Sequence, residues 1–293
     1  MVLDHCLMWK RLSAAPEELV ITSRYTSYGG RLRFDMKRRI ALRFGSGNAV
    51  DGAFTVIAPS RWAVIVTTSA HCVPTIVTDS APSVPTQDLL SAYHRHIYDG
   101  LASQYVARVA ETRKLTETSL RRFIQYLEPD AGVLDVGCGA GSVVEILCDL
   151  NFRADGIDIS PNMVAAAVAR NASAAIIHAD FMKYDPPEKY DGMVAFAFIH
   201  LFPKHIALKA LRRMRGALRP GGHILIGTTR SEVSWEGFIE KSDYVGTLRR
   251  YRKFWVREEF EAALLETGFA IKAMYVHEDP YGKVWLDYTA QVV

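Results

Sequence analysis

Val133-Leu134-Asp135-Val136-Gly137-Cys138-Gly139-Ala140-Gly141-Ser142 is the stretch whose reading decides the fold. An apolar run of strand length ends in three glycines at every second position, and a helical pattern follows at once. Glycine permits backbone conformations closed to other residues and lets a ligand approach the main chain closely. A glycine loop between a buried strand and a helix is where open α/β sheets hold nucleotide-like molecules. The spacing is G-x-G-x-G, without the longer gap before the third glycine that marks a dinucleotide fingerprint.

Strands and helices alternate outward from this loop. Ser142 to Leu150 reads as a helix stopped at Asn151, and Ala154 to Ile159 as the next strand. Ser160 followed by Pro161 is a cap and first-turn proline, opening a helix to Arg170. A third strand spans Ala174 to Ala179 and is followed by Asp180-Phe181. The fourth covers Asp191 to Phe198, after which Lys204 to Leu218 shows apolar residues at helical spacing. Arg219-Pro220-Gly221-Gly222 turns the chain into a fifth strand, His223 to Thr228. Arg257 to Thr267 forms a last helix before an antiparallel hairpin, Phe269 to Val276 and Val284 to Val292. Such alternation implies a doubly wound, mostly parallel sheet with helices on both faces.

Upstream, Thr86 is a fair N-cap for a helix through Tyr93, His94, Tyr98, Leu101 and Tyr105, which Gly100 is expected to break. A second helix, Leu115 to Leu127, is stopped by Pro129. Residues 1–85 read as an extension of unclear structure. Within it, Arg31 to Arg43 alternates basic and apolar residues, Ala63 to Thr68 reads as a short strand, and Val73 to Pro85 as a linker.

With Asp135 in the strand end, the glycine loop resembles motif I of the class I S-adenosylmethionine-dependent methyltransferases. Asp158 and Asp180 following in order after successive strands strengthen the resemblance, which covers residues 86–293. It implies a seven-stranded Rossmann-like domain using S-adenosylmethionine. Asp158, 23 positions after Asp135, is placed to accept hydrogen bonds from ribose hydroxyls, its two oxygens matching two vicinal hydroxyls. The resemblance further implies that Asp180 accepts from the adenine amino group, the Phe181 N–H meets a ring nitrogen, and Ile159 lies on the adenine face. Asp135, Gly137, Cys138, Gly139, Gly141 and Phe196 complete the cofactor set it implies. Tyr98 or Tyr105 would contact the methionine end of the cofactor or the substrate.

The acceptor is narrowed by what the sequence lacks. Phe196-Ala197-Phe198-Ile199-His200 has no Asn/Asp-Pro-Pro-Tyr signature of adenine or glutamine methylation, and no Pro-Cys pair follows the strands. No aspartate ends the fourth strand, so a magnesium-dependent catechol-type reaction, or any metal site, is not expected. A small molecule methylated on O or N remains. His200, at the strand mouth with a side chain that titrates near neutral pH, is the candidate base. Ser231 to Trp255 holds Trp235, Phe238, Tyr244, Tyr251, Phe254 and Trp255 beside Arg249, Arg250, Arg252 and Lys253. That mixture suits a planar or acidic ligand, with Trp235, Arg249 and Arg250 as candidate contacts.

Composition is that of an ordinary globular protein, with 49% hydrophobic and 23% charged residues. A net charge of +3 is too mild to argue for nucleic acid. Four scattered cysteines without a C-x-x-C pair read as reduced thiols, and no apolar run reaches membrane-spanning length, so a cytoplasmic protein is expected. Two other readings stay open: an RNA-modifying enzyme with the basic N-terminal region as its arm, and a non-catalytic cofactor-binding module. The oligomeric state is not legible.

Overall fold

The computed structural model describes residues 85–241 and 248–293 and, before them, the backbone of four short strands. The chain divides into two compact units, Met1–Ser83 and Val84–Val293. In the first, β1 (Glu18–Thr22) pairs antiparallel with β2 (Arg39–Arg43), and β3 (Phe54–Ile57) with β4 (Ala63–Val66). The strand expected at Ala63 to Thr68 is thus present as β4. The expected linker before Pro85 lies outside the described residues, as does Tyr244.

The second unit opens with α1 (Gln87–Phe123), capped by Thr86, whose hydroxyl accepts from the Leu89 N–H at 3.4 Å. It is one helix of 37 residues, about 55 Å long, where two were expected. Gly100 does not break it, because an interior glycine costs only about 1 kcal/mol relative to alanine, and α1 is held by contacts along its whole length. A Cβ at Gly100 would meet nothing within 4 Å. Gly100→Ala is therefore expected to stabilise the protein by about 0.5–1 kcal/mol, read as a higher midpoint in chemical denaturation; a loss of stability would mean the helix needs that flexibility.

After a 3₁₀ turn at Ile124–Tyr126, the order is β5 (Gly132–Val136), α2 (Ser142–Asp149), β6 (Arg153–Asp158), α3 (Pro161–Arg170) and β7 (Ile176–His178). Then follow β8 (Tyr190–Phe196), α4 (Lys204–Ala217), β9 (Leu218–Thr229), β10 (Trp235–Lys241) and β11 (Leu248–Phe254). The chain ends with α5 (Arg257–Glu266), β12 (Phe269–Glu278) and β13 (Val284–Val292). Seven strands form one sheet in the order β12-β13-β9-β8-β5-β6-β7. β5 to β9 are parallel neighbours, and β13 runs antiparallel between β9 and β12.

Alternation along the strands separates two apolar layers. Leu134, Val136, Met193, Ala195, Ile224 and Ile226 pack with α4 and α5, whereas Val133, Val194 and Leu225 pack with α2, α3 and the end of α1. The turn expected at residues 219–222 is a four-residue bulge inside β9. Tyr190 pairs with Leu218 but Gly192 with His223, so the ladder resumes on both sides of it. Gly221 makes this possible at φ +75°.

Strand order reverses at β5, with β6 and β7 on one side and β8 and β9 on the other. The crevice at the carboxyl ends of strands flanking such a reversal is where α/β sheets bind ligands.

Candidate functional site

The glycine loop sits at that crevice. Gly137, Gly139 and Gly141 have φ of +71°, +51° and +76°, as the sequence requires of them. Gly137 and Cys138 donate their N–H groups to the Ile157 carbonyl, Gly139 to Asp158 Oδ2 at 2.9 Å, and Gly141 to the Cys138 carbonyl. A loop that cradles phosphate keeps such N–H groups for its ligand; this one spends them inside the protein.

Asp158, at the end of β6, ties two segments together. Its other oxygen, Oδ1, accepts from the Ser160 N–H at 2.9 Å. Burial pushes its carboxyl up, and the Ser160 and Gly139 N–H groups partly offset that. Asp135, buried beneath the loop on β5, is pushed up further, first by burial and then by Asp158. Burial also raises the Cys138 thiol, which disfavours its thiolate form. Asp180 caps the 3₁₀ turn Phe181–Lys183 by accepting from the Met182 N–H at 2.9 Å.

Helix α1 lies across the crevice as a strap. Asp99 accepts from the Ser160 hydroxyl at 3.0 Å and the Asn162 N–H at 2.9 Å, sharing the capping of α3. Arg113 pairs with Glu145 and Asp149 on α2, and Ser119 donates to Asp287 on β13. At its start, the Tyr93 hydroxyl donates to the Arg249 carbonyl at 2.6 Å, which docks the β10–β11 hairpin.

The strap encloses a cavity of about 360 Å³, within the usual range of small-molecule sites. Every expected cofactor position lines it except Gly141: Asp135, Gly137, Cys138, Gly139, Asp158, Ile159, Asp180, Phe181 and Phe196. Gly141 instead faces α3, against Ala167 and Asn171. Tyr98, Tyr105 and His200 also line the cavity. His200 is 1% exposed and its Nδ1 lies 3.2 Å from Thr228 Oγ1.

The insert after β9 is the β10–β11 hairpin, and it divides its expected contacts. Arg250 lines the cavity and is 6% exposed, with Nη1 donating to the Tyr98 hydroxyl at 3.4 Å. Arg249, one residue away on a strand, is exposed, lies over the Phe238 ring and is not among the lining residues. Trp235, 47% exposed, packs against Phe254 and likewise lies outside the cavity. Period-two alternation decides this, and it brings Arg252, 5% exposed, to the cavity with Arg250.

Other lining residues went unread. His94, Arg108, Thr112 and Ser119 share the inward face of α1, and Trp285 and Asp287 one face of β13, with Lys283 just before it. Their helical and period-two spacings were the available signals, but only the fold shows which face turns inward.

Comparison with known proteins matches the model of the methyltransferase domain to residues 133–222, from the start of motif I to the β9 bulge. The matched segment is a methyltransferase domain, and the fold around it is that of the class I S-adenosylmethionine-dependent methyltransferases. Among its relatives, a trans-aconitate 2-methyltransferase of Rhodopseudomonas palustris is 33% identical over 102 residues, covering 34% of the chain and 39% of the relative. A ubiquinone biosynthesis O-methyltransferase of Bradyrhizobium diazoefficiens is 28% identical over 169 residues, covering 52% and 64%. The chain thus spans about two fifths to two thirds of these relatives' own lengths.

Solved structures share the fold. Magnesium protoporphyrin IX methyltransferase from Synechocystis, with bound S-adenosylmethionine, superposes with TM-score 0.56 at 13% identity, covering 70% of this chain and 97% of that one. The 1,6-didemethyltoxoflavin-N1-methyltransferase of Burkholderia thailandensis gives 0.53 at 19%, covering 68% and 90%. Among the described residues no helix is long and apolar enough to cross a membrane.

Proposed function

We propose that this domain transfers the methyl group of S-adenosylmethionine to an oxygen or nitrogen of a small, acidic or aromatic molecule in the cytoplasm. The observation that carries this reading is the joining of two half-sites in one cavity. The glycine loop with Asp158 and Asp180 stands at one end, and buried Arg250 and Arg252 with a set of aromatic rings at the other.

The residues fit the cofactor. A Cβ at Gly139 would meet nothing nearer than Met163 Sδ at 4.0 Å, leaving open approach to the main chain. Asp158 accepts one backbone hydrogen bond on each oxygen, so each keeps a lone pair for a ribose hydroxyl. Asp180 and the Phe181 backbone would hold the adenine edge, with Ile159 on its face; Asp135, Cys138 and Phe196 would line the remainder. When bound, the cofactor supplies a methyl group on a positively charged sulfur. The chain supplies alignment of the acceptor in a dry cavity, and His200 takes the proton that the acceptor loses.

The relatives' names support an acidic or ring-bearing acceptor, since one is named for trans-aconitate and the other for ubiquinone biosynthesis. The test is release of S-adenosylhomocysteine from S-adenosylmethionine across a panel of carboxylic acids, phenols and amines. Failure to bind S-adenosylmethionine in calorimetry would sink the proposal.

The two neighbouring arginines give a sharper expectation. Arg250→Gln should raise the acceptor KM at least about tenfold, the loss of one charge-assisted hydrogen bond, while leaving cofactor affinity within twofold. Arg249→Gln should change neither. Equal effects from both would show that the hairpin acts through folding rather than contact.

A further inference from the structure

Helix α1 brings a second histidine to the cavity. His94 lines it and is 4% exposed, and its Nε2 is buried with no hydrogen-bond partner among the described residues. Native proteins rarely leave a buried polar atom unmatched, and one in a cavity wall calls for a reason. Its neighbours offer packing rather than a partner. The ring lies 5.7 Å from Phe202 and 6.2 Å from Tyr98, both edge-on.

That packing connects His94 to the glycine loop. Phe202 stacks edge-on with Phe198 at 5.1 Å, and the Phe198 ring comes within 2.9 Å of where a Cβ on Gly137 would sit. An aromatic wall therefore leads from the loop to His94. Arg250, which reaches Tyr98 from the hairpin, is the charged group acting on the imidazole. Burial, and then Arg250, lowers the His94 pKa to about 4, so the ring is neutral at physiological pH. A neutral ring so hard to protonate is a poor base but a sound hydrogen-bonding group, a different role from that assigned to His200.

Resting on the methyl-transfer reading above, we propose that His94 is the polar contact that orients the acceptor, its Nε2 hydrogen-bonding a hydroxyl or amine of a planar molecule laid along the aromatic wall. The orphaned nitrogen is then matched only when that molecule is bound.

His94→Phe tests this because it keeps a ring of similar shape and removes both nitrogens. The variant should melt at the same temperature as the wild type or higher, and bind S-adenosylhomocysteine within twofold of it. In wild-type enzyme labelled with ¹⁵N-histidine and loaded with S-adenosylhomocysteine, 4-hydroxybenzoate or 4-aminobenzoate should shift the one imidazole resonance missing from the variant. The variant should bind that probe at least tenfold more weakly, and His94→Gln, whose amide offers polar atoms at similar depth, should recover part of the loss. The inference is overturned if neither probe moves the His94 resonance, or if wild type and His94→Phe bind the probe alike. It also fails if His94→Phe loses stability and cofactor affinity together, the signature of packing alone. If S-adenosylhomocysteine does not bind while the resonance still moves, the methyl-transfer reading falls and the His94 contact stands.

Discussion

Gly141→Ala is expected to lower the stability of the methyltransferase domain by about 2–5 kcal/mol, enough to reduce its melting temperature by roughly 5–15 °C. Two costs add. Gly141 has φ +76°, where a side chain costs about 1–2 kcal/mol. The added methyl would also run into Asn171 Nδ2 and lie 2.9 Å from the Ala167 Cβ and 3.0 Å from its Cα. Neither neighbour can retreat. Asn171 is fixed by donating to both the Gly141 and Ala167 carbonyls at 3.0 Å, and Ala167 belongs to α3 in the buried layer. Crowding of this kind costs about 1–3 kcal/mol.

Gly139→Ala provides the contrast. Its φ is +51°, but the new methyl would have 4.0 Å of clearance, so only the conformational cost of about 1–2 kcal/mol applies. Its larger effect should be on cofactor affinity, because Gly139 lines the cavity and Gly141 does not. Thermal melts and calorimetry with S-adenosylhomocysteine separate the two. A Gly141→Ala protein as stable as wild type would show that the α3 contact is softer than its geometry.

That division between two glycines two residues apart could not be read from the motif, which treats them alike. The motif does carry the local backbone: a buried strand, three left-handed turns and a helix start are each dictated by residues adjacent in sequence. The same holds for Ser160-Pro161, which starts α3 where expected, with the Ser160 hydroxyl accepting from the Met163 N–H. The glycine-loop end of the cavity was therefore legible. Its acids follow successive parallel strands, and their separation in sequence fixes their proximity in space.

The opposite end of the cavity was not. It is assembled by α1, β11 and the β12–β13 hairpin, which are far apart in the chain and face the crevice only because β13 inserts between β9 and β12. Arg249 and Arg250 illustrate the limit: the composition of the insert is informative, but strand phase, unknown until pairing is seen, sends one of them into the cavity. Gly100 illustrates another. A breaker weighed by itself outranks its flanks, whereas α1 is tied to α3, α2, β13 and the β10–β11 hairpin, contacts that outweigh about 1 kcal/mol.

Replacing Asp158 with alanine should weaken S-adenosylmethionine binding by roughly 100- to 10,000-fold, since two hydrogen bonds to an ionised group are removed at about 1.5–3 kcal/mol each. The variant also strips partners from the Gly139 and Ser160 N–H groups, so its stability must be measured beside its affinity. Asp158→Asn keeps one accepting oxygen, while the other position becomes an NH2 that can accept neither from a ribose hydroxyl nor from the backbone N–H it faces. Titration supplies a further check. The folded-state pKa of Asp158 is raised, chiefly by burial, so the ligand-free protein holds this proton more tightly than the unfolded chain. Its contribution to stability is therefore full below the ordinary carboxylate value near 3.8 and is lost as pH rises through the folded value. Ribose hydroxyls donate to the ionised carboxylate, so cofactor binding favours the form that folding alone disfavours. The thermal shift produced by S-adenosylhomocysteine should accordingly grow as pH rises from just above 3.8 toward neutrality in the wild type, and stay flat in Asp158→Asn. Parallel pH profiles in the two proteins would remove Asp158 from the ribose and leave it as the brace between the glycine loop and α3.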